Sequence, residues 1–551
     1  MRNRLFYNQG IVMKKAILLF IFAAALPLFF MSCVSTSKQE QHVVQEVHAN
    51  DAQAFASEAE MPQSHVLSEE NAVKSSSRDS SIAMLDDAQM SPERDASATQ
   101  KHEESLLSET ARDEDVPASE EKTVSPKLAF MQHFQELLNN GDVSGALSCF
   151  DDMQEELRSD KELQIIHASL LVSDGQIKQA QHVASSLLAD DGDNVEVLEL
   201  NAYLASITNS KNRDSLIKQL LQIDPYNVQA NILQAQLHFA KHRYKLANNS
   251  YKNALQKESD NIDALFGYGQ TMFYMNEPGI DELQEAENAF NKILELDETH
   301  ALALAYLGKI AAENKNYLRA AKYIQQAIAV DNANYDFYMD LGTYMRYLGK
   351  LSDAEDAWTH AIALEPTYFL AYTYRAGLYK EQKKYKEALA DLNNVIATNP
   401  KYYYAYEDIG VLEWHEQHWG KSREAFQKAY AVDKRSSYVL MIAATYLKEK
   451  KIVDCKKFLA QAMRNFERTS VEYEMMRLYH DQGGANAENS IRLKLDKIEK
   501  PAERGRMWFY MGLFYELIGS ARASNEYYTK VTNMNAPLFF EYEIAEWSVT
   551  K

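Results

Sequence analysis

The chain has 551 residues and a formal charge of −21 at pH 7, and this length exceeds what one ordinary compact core can hold. Aromatic residues make up 11% of it, with only 19 Gly and 11 Pro, a composition that favours helices over turn-rich β structure. The acidic balance argues against a nucleic-acid partner, because a surface that follows phosphates needs clustered Lys and Arg. We therefore expect an all-α protein with several domains or an elongated body.

The N-terminal residues have the pattern of a targeting signal. Lys14 and Lys15 precede an unbroken apolar run over residues 16–30, and Cys33 follows shortly after it. This run is shorter than the roughly 20 residues of a membrane-spanning helix, but it has the length of the apolar region of a signal peptide. The sequence therefore predicts that the chain leaves the cytoplasm.

Residues 1–33 resemble a bacterial lipoprotein signal peptide, with Met13 as an alternative start. The resemblance implies that the thiol of Cys33 is lipidated and attaches the mature chain to a membrane. It places the protein in the bacterial cell envelope, on the periplasmic face or the cell surface. Val34 after the cysteine favours the outer membrane. Ordinary secretion and an uncleaved membrane anchor are the alternatives.

Residues 34–126 differ in composition from the rest of the chain. They are rich in Ser, Glu, Gln and Ala, with Phe55 as the single aromatic residue, and they contain 20 acidic and 7 basic residues. Such a segment buries too little apolar surface to offset the entropy cost of ordering it. We expect a disordered acidic linker with a reach of roughly 50 Å.

A sequence pattern recurs about every 34 residues after Lys127. In the clearest unit, which starts at Tyr335 as place 1, the pattern consists of Leu341, Gly342, Ala354, Trp358, Ala361 and Pro366. These positions resemble the tetratricopeptide repeat family, which has a small residue at place 8, Ala at places 20 and 27, and often Pro at place 32. The resemblance implies a right-handed α-solenoid of about ten to eleven helix-turn-helix units with a concave groove. Cys455 falls at place 20, where a small buried residue is expected.

The strength of the repeat pattern divides the chain into segments. Five consecutive units from Val228 to about Asp433 match it well. After the last unit, Phe540, Ile544 and Trp547 share one helix face, which predicts a capping helix over the end of the array. The predicted segments are degenerate repeats over 127–227, strong repeats over 228–435, weaker repeats over 436–532 and the capping helix over 533–551.

No catalytic motif is present in the sequence. It lacks a GxSxG nucleophile elbow, a phosphate-binding GxxxxGKS loop, a dinucleotide-binding GxGxxG and the HExxH zinc motif. His415 and His418 come nearest to the last, but they are three residues apart and no third ligand recurs at helical spacing. We predict a protein that is not an enzyme and that uses neither a metal nor another cofactor.

Groove residues are the predicted binding site. In the resembled family, places 2, 5, 9, 12 and 13 of the first helix face the concave side. Aromatic and cationic side chains at such places can anchor a peptide with little loss of conformational entropy. The candidates are Phe273, Tyr274, Arg346, Tyr347, Lys380, Tyr404, Trp414 and His415.

The stretch from Trp414 to Gly420 contains two of these candidates. Trp414 and His415 are expected to face the groove, whereas Gln417 and His418 fall in the bend between the two helices of the unit. Trp419 occupies place 17, where the sister units have Tyr244, Tyr317 and Tyr385, so it should open the second helix and pack inward.

Taken together, these features favour a lipid-anchored scaffold that holds protein or peptide partners in its groove during assembly of the cell envelope. One alternative is a module that binds peptidoglycan or another carbohydrate, because the faces of Tyr and Trp rings can stack on sugars. Another is a non-catalytic subunit of an envelope enzyme.

Overall fold

The computed structural model describes residues 125–275, 281–495, 497–534 and 539–549. The predicted signal peptide, the lipidation site at Cys33 and nearly all of the predicted acidic linker lie outside these residues. Within them, all regular structure is helical, which confirms the predicted all-α fold. None of the described helices is both long and apolar enough to cross a membrane.

The described residues belong to two compact units, with the division between Ser159 and Asp160. The first unit contains one helix pair, α1 (Pro126–Asn139) and α2 (Val143–Asp151), and a short 3-10 turn at Glu155–Leu157. Phe134 and Phe150 pack edge to face in this pair, with ring centroids 5.5 Å apart. Apart from Pro126, this pair lies in the segment 127–227, for which the sequence predicted degenerate repeats.

The second unit is an array of eleven helix pairs followed by one last helix. Odd numbers denote the first helix of a pair and even numbers the second. The weak upstream pairs are α3 (Lys161–Ser173) with α4 (Ile177–Asp190) and α5 (Val195–Ile207) with α6 (Arg213–Ile223). The strong pairs are α7 (Val228–Ala240) with α8 (Tyr244–Lys257), α9 (Ile262–Tyr274) with α10 (Glu282–Leu296), α11 (Ala301–Glu313) with α12 (Tyr317–Val330), α13 (Tyr335–Tyr347) with α14 (Leu351–Leu364), α15 (Phe369–Glu381) with α16 (Tyr385–Thr398), and α17 (Tyr403–His415) with α18 (Trp419–Val432).

The downstream part of the second unit completes the array. It contains α19 (Ser436–Lys448) with α20 (Ile452–Ala462), a 3-10 turn at Met463–Asn465, α21 (Val471–Asp481) with α22 (Ala485–Leu495), α23 (Pro501–Leu517) with α24 (Ala521–Thr532), and the last helix α25 (Phe540–Val549). The described chain thus has twelve pairs, compared with ten to eleven expected units. Six of them, rather than five, fall between Val228 and Val432.

Local sequence explains where the helices begin. The side chains of Asn194, Asn227, Asn261 and Asn334 each accept a hydrogen bond from a backbone N–H in the first turn of the odd-numbered helix that follows. Asn is one of the best residues for this role, because its side-chain oxygen satisfies an N–H that has no partner within the helix.

The turn inside a pair has a recurring conformation. His242, Lys315 and Gln417 have φ values of 54°, 57° and 60°, each two positions before the second helix, and Gly349 has 72° at the equivalent place. A left-handed residue ends the first helix and redirects the chain. Gln417 and His418 therefore lie in the bend, and Trp419 begins α18, as the sequence predicted.

Small buried residues let the two helices of a pair approach each other. Ala320, Ala354, Ala388 and Cys455, all at place 20, are completely buried. The Sγ of Cys455 lies 3.6 Å from the carbonyl oxygen of Ala443 in the partner helix of its pair. The prediction that Cys455 is a small buried residue is thus confirmed.

The last helix differs from the expected cap. α25 packs against α23 and α24, as a cap would, but it also contacts α17, which lies three pairs earlier in the array. Its buried residues include Glu541, Tyr542, Ile544 and Ala545. Sequence pattern predicted the helix and its apolar face, but not this second contact, which depends on the path of the intervening repeats.

Candidate binding surface on the inner face

The odd-numbered helices α9 to α19 line one side of the array, which we call the inner face. Polar side chains on consecutive helices of this row contact one another. The amide of Gln270 on α9 donates to the hydroxyl of Tyr306 on α11, at 2.7 Å. The Nζ of Lys309 on α11 lies 3.5 Å from Oδ2 of Asp340 on α13. Such contacts fix the spacing between successive pairs along this surface.

Two aromatic candidates lie at the upstream end of the inner face. Tyr274 is 46% exposed, and its ring stacks on that of Tyr244 at a centroid distance of 6.3 Å. Phe273 is half-buried, and its ring meets those of Tyr274 at 5.2 Å and Tyr306 at 5.7 Å, in both cases edge on. The structure therefore brings Phe273 and Tyr274 into one aromatic cluster that keeps an exposed edge.

The next two candidates lie two pairs further along. Tyr347 is 40% exposed, and its ring lies parallel to that of Tyr317 with centroids 4.3 Å apart. The neighbouring Arg346 donates from Nε to Oε2 of Glu381 at 3.1 Å. Tyr347 thus presents to solvent an aromatic ring that Tyr317 holds in position. Arg346, in contrast, forms an ion pair between two repeats.

Two carboxylates stand at place 2 of their units, a position expected to face the groove, and they lie at the opposite ends of α9 and α13 from Tyr274 and Tyr347. Asp263 on α9 and Asp336 on α13 lie in the first turns of their helices. Loss of water around each side chain raises its pKa to about 6. Lys309, between them in the row, has its pKa raised mainly by the charge of Asp340. The upstream inner face is thus aromatic with a net acidic lining.

Lys380 does not present a free cation at the downstream inner face. Its Nζ lies 2.6 Å from Oδ1 of Asp408 on α17 and 3.4 Å from Oε2 of Glu543 on α25. Burial opposes the charge of Lys380, but the two carboxylates outweigh this effect and raise its pKa. The predicted groove cation therefore binds the chain's own last helix.

His415 also contacts the last helix. Its ring centroid lies 4.2 Å from that of Trp547 on α25 and 4.7 Å from that of Tyr385 at the start of α16. The sequence placed His415 on the groove and Trp547 on a cap, and the structure places the two side chains against each other. The reach of α25 is what local patterns could not reveal.

Trp414 and Tyr404 are less available than the groove pattern suggested. Trp414 is only 7% exposed, because its ring packs edge to face on Trp419 at 4.8 Å. The expectation that Trp414 is an open groove contact is thus corrected, since its indole fills space between α17 and α18. Tyr404 is half-buried, with its ring 4.1 Å from that of Tyr403.

The two histidines of this stretch have different surroundings. The exposed His418 has its Nδ1 2.7 Å from Oε2 of Glu413, whereas His415 lies against aromatic rings. Over the residues that the structure describes, no group of three or more His, Cys, Asp or Glu side chains is arranged to hold a metal ion.

Comparison with known proteins identifies the repeat. A family model described as tetratricopeptide repeat matches residues 281–337 and 378–438. The DnaJ homolog subfamily C member 7 homolog of Dictyostelium discoideum is 24% identical over 245 residues, which cover 42% of this chain and 42% of that protein. Human DnaJ homolog subfamily C member 7 is 27% identical over 234 residues, covering 39% of this chain and 46% of that protein. The chain thus spans less than half the length of these curated relatives.

A solved structure gives a further match. The tetratricopeptide repeat protein from Parabacteroides merdae is 17% identical, and the match covers 52% of this chain and 98% of that one with a TM-score of 0.29. A score of this size carries no argument about function. The 34-residue sequence pattern, the helix pairs and the matched family model together show that the chain contains tetratricopeptide repeats.

Proposed function

We propose that this protein is a lipid-anchored, non-enzymatic scaffold on the extracytoplasmic side of the bacterial cell envelope. It holds protein or peptide partners on the upstream inner face, which we define as the α9 to α13 part of the row. Arrays of helical repeats serve as extended binding surfaces because each repeat adds side chains to one continuous face.

The exposure of Tyr274 and Tyr347 is the observation that carries this proposal. Each ring stacks on a neighbouring tyrosine and still has two-fifths or more of its side chain exposed, 46% for Tyr274 and 40% for Tyr347. A tyrosine that is already held loses little conformational entropy when it binds, and tyrosines are frequent in interface hot spots. The two rings belong to pairs separated by one repeat, so an extended partner segment could contact both.

The charge of the upstream inner face favours a particular kind of partner. Asp263 and Asp336 are mostly ionised at pH 7, since each pKa is raised only to about 6. A partner that places Lys or Arg roughly 16 Å from its apolar residues would complement both the carboxylates and the tyrosines, because this is the distance between them along each helix. Nucleic acid, which is negatively charged, would be repelled.

Substitution of the two tyrosines tests the binding surface. We expect the Tyr274→Ala, Tyr347→Ala double variant to lose its co-purifying partners from envelope extracts, with unchanged helical circular dichroism. Tyr226→Ala is the matched control, because Tyr226 is 47% exposed in the turn before α7 and outside the inner face. Equal partner recovery by the double variant and the wild type would contradict the proposal.

The anchoring part of the proposal has a separate test. The position of Cys33 after the apolar run supports lipidation. The wild type should incorporate a labelled fatty acid and sediment with membranes, whereas Cys33→Ser should do neither. Labelled fatty acid on the Cys33→Ser variant would contradict lipidation at Cys33, because the label would then be attached to another residue.

A further inference from the structure

A cavity of about 230 Å³ lies at the downstream end of the inner face. It opens between the C-terminal ends of α17, α19 and α23 and the last two turns of α25. Its lining consists of Trp414, His415, Gln417, Trp419, Lys448, Glu516, Ile544, Trp547 and Ser548. The cavity lies within the second unit and is distinct from the upstream inner face.

Tryptophan is concentrated in this lining. Three of the five tryptophans of the chain, Trp414, Trp419 and Trp547, contribute to it. Trp414 and Trp419 meet at 68° between ring planes, and Trp547 packs on His415 from the other side. The rings of Trp414 and Trp419 are thus not parallel, so these two do not form a slot of the kind that clamps a flat aromatic ligand.

Repeat packing does not require this concentration of indoles. Trp419 stands where the sister units have Tyr244, Tyr317 and Tyr385, and a tyrosine there is sufficient to open the second helix. Trp547 lies near the end of the last helix and is only half-buried. Trp419 packs on Trp414, and Trp547 packs on His415 and Tyr385, so both indoles build the walls of the cavity and present only their remaining surface to it.

The polar side of the cavity is close to neutral in charge. The Nζ of Lys448 lies 2.5 Å from Oε1 of Glu516, and it also lies 5.6 Å from the ring of Trp414 and 5.5 Å from that of Trp419. Because this cation and carboxylate already pair with each other, neither an anionic nor a cationic ligand gains a free counter-charge there. Gln417 and Ser548 add an amide and a hydroxyl to the lining.

We infer that this cavity is a binding site for a single neutral sugar ring. Indole surfaces accept the apolar C–H faces of a sugar, while the amide, hydroxyl, ammonium and carboxylate groups can exchange hydrogen bonds with its hydroxyls. The volume is below the roughly 300 Å³ at which sites for drug-sized ligands begin, so it fits one ring and not an oligosaccharide. This activity is separate from partner binding on the upstream inner face.

Titration of the full chain with glucose, galactose and N-acetylglucosamine tests this inference. Tryptophan fluorescence should change saturably with at least one of them, because three of the five indoles line the cavity. Calorimetry should confirm the affinity. We expect Trp547→Ala to weaken the binding by about tenfold or more, the effect of losing one stacked aromatic surface.

Two further variants make the outcome decisive. Trp419→Tyr restores the residue of the sister units, so it should fold normally yet weaken sugar binding. Trp508→Phe, outside the cavity, should bind as the wild type does. The inference is wrong if none of the three sugars binds the full chain, or if Trp419→Tyr and Trp547→Ala both bind with wild-type affinity. Sugar binding should also survive the Tyr274→Ala, Tyr347→Ala double substitution, which separates it from the proposed partner site.

Discussion

Gly342 and Trp358 determine how closely the two helices of one repeat approach. A Cβ atom on Gly342 would overlap the indole of Trp358, coming within 2.6 Å of its Cδ1. Trp358 is completely buried, and its Nε1 donates to the carbonyl oxygen of Met339 at 3.3 Å. The small residue at place 8 is therefore required by a specific large side chain at place 24, as the repeat pattern predicted.

We predict that Gly342→Ala lowers the free energy of unfolding of its repeat by about 1–3 kcal/mol, because the buried indole has no room to move. Gly377→Ala is the matched control. Gly377 also lies in the interior of an odd-numbered helix, but nothing lies within 4 Å of its added Cβ. Alanine there should stabilise α15 by about 0.5–1 kcal/mol through helix propensity.

Thermal unfolding followed by circular dichroism, together with hydrogen exchange of the affected repeats, would measure both effects. A Gly342→Ala variant as stable as the wild type would show that the helices can separate at no cost. It would then follow that place 8 does not control their spacing.

Asp263 should make stability depend on pH. Its pKa is raised from 3.8 to about 6 by loss of water, and Tyr203 on α5 is close enough to feel its charge. A raised pKa means that folding favours the protonated carboxyl, so the stabilisation is complete below about pH 4 and is lost as the pH rises through 6. The ionised carboxylate is a net cost at neutral pH.

Replacement of Asp263 removes this pH dependence. We predict that Asp263→Asn is more stable than the wild type by on the order of 1 kcal/mol at pH 7.5 and shows little difference at pH 4. Melting temperatures at the two pH values would show it. Asp190→Asn, at the exposed end of α4, is the control and should leave both melting temperatures unchanged. If the melting temperatures of Asp263→Asn and the wild type depended on pH in the same way, Asp263 would not be the source of the pH dependence.

At the scale of elements, α25 is the helix that local sequence described least well. Its Glu541 is completely buried, and the Oε1 atom accepts hydrogen bonds from the hydroxyl of Ser437 on α19 and, at 2.8 Å, from that of Tyr510 on α23. The hydroxyl oxygen of Tyr510 also lies 3.0 Å from the carbonyl oxygen of Ser437, so its single proton is shared between these two acceptors. A buried carboxylate with these donors ties α25 to two other helices.

Removing this carboxylate should release the last helix. We predict that Glu541→Ala costs about 2–4 kcal/mol in the local stability of α25, because it leaves the hydroxyl of Tyr510 buried with fewer acceptors. Hydrogen exchange of residues 540–549 should accelerate accordingly. Val549→Ala, at the exposed end of the same helix, is the control and should show the hydrogen exchange of the wild type. Unchanged hydrogen exchange in Glu541→Ala would show that apolar packing alone holds the helix.

The sequence predicted repeats more successfully than it predicted contacts between distant repeats. The helix pair, its left-handed turn and its buried small residues follow from neighbouring residues, so Gly342, Cys455 and Trp419 could be assigned correctly from the pattern. The pairing of Lys380 with Glu543 could not, because it depends on a last helix that reaches this part of the array only after several repeats have stacked. Trp414 was misassigned for a local reason, since its ring packs on Trp419 of its own helix pair.

At the scale of the whole molecule, the last helix divides the row of candidate groove residues. Lys380 and His415 contact α25, whereas Tyr274 and Tyr347 keep their exposed edges. A partner that reaches the second unit therefore meets its open aromatics on α9 and α13. The downstream end instead forms the tryptophan-lined cavity. Two neighbouring regions of one repeat array can thus serve two different ligands.

The central claim is that a protein partner contacts the upstream inner face, and crosslinking in intact cells tests it most directly. A photo-crosslinking amino acid would replace Tyr347 in one strain and Tyr226 in another, since the two side chains have similar exposure. We predict discrete, identifiable protein adducts from position 347 that are absent from position 226. The absence of position-specific adducts at 347, with normal amounts of folded and membrane-bound protein, would contradict it.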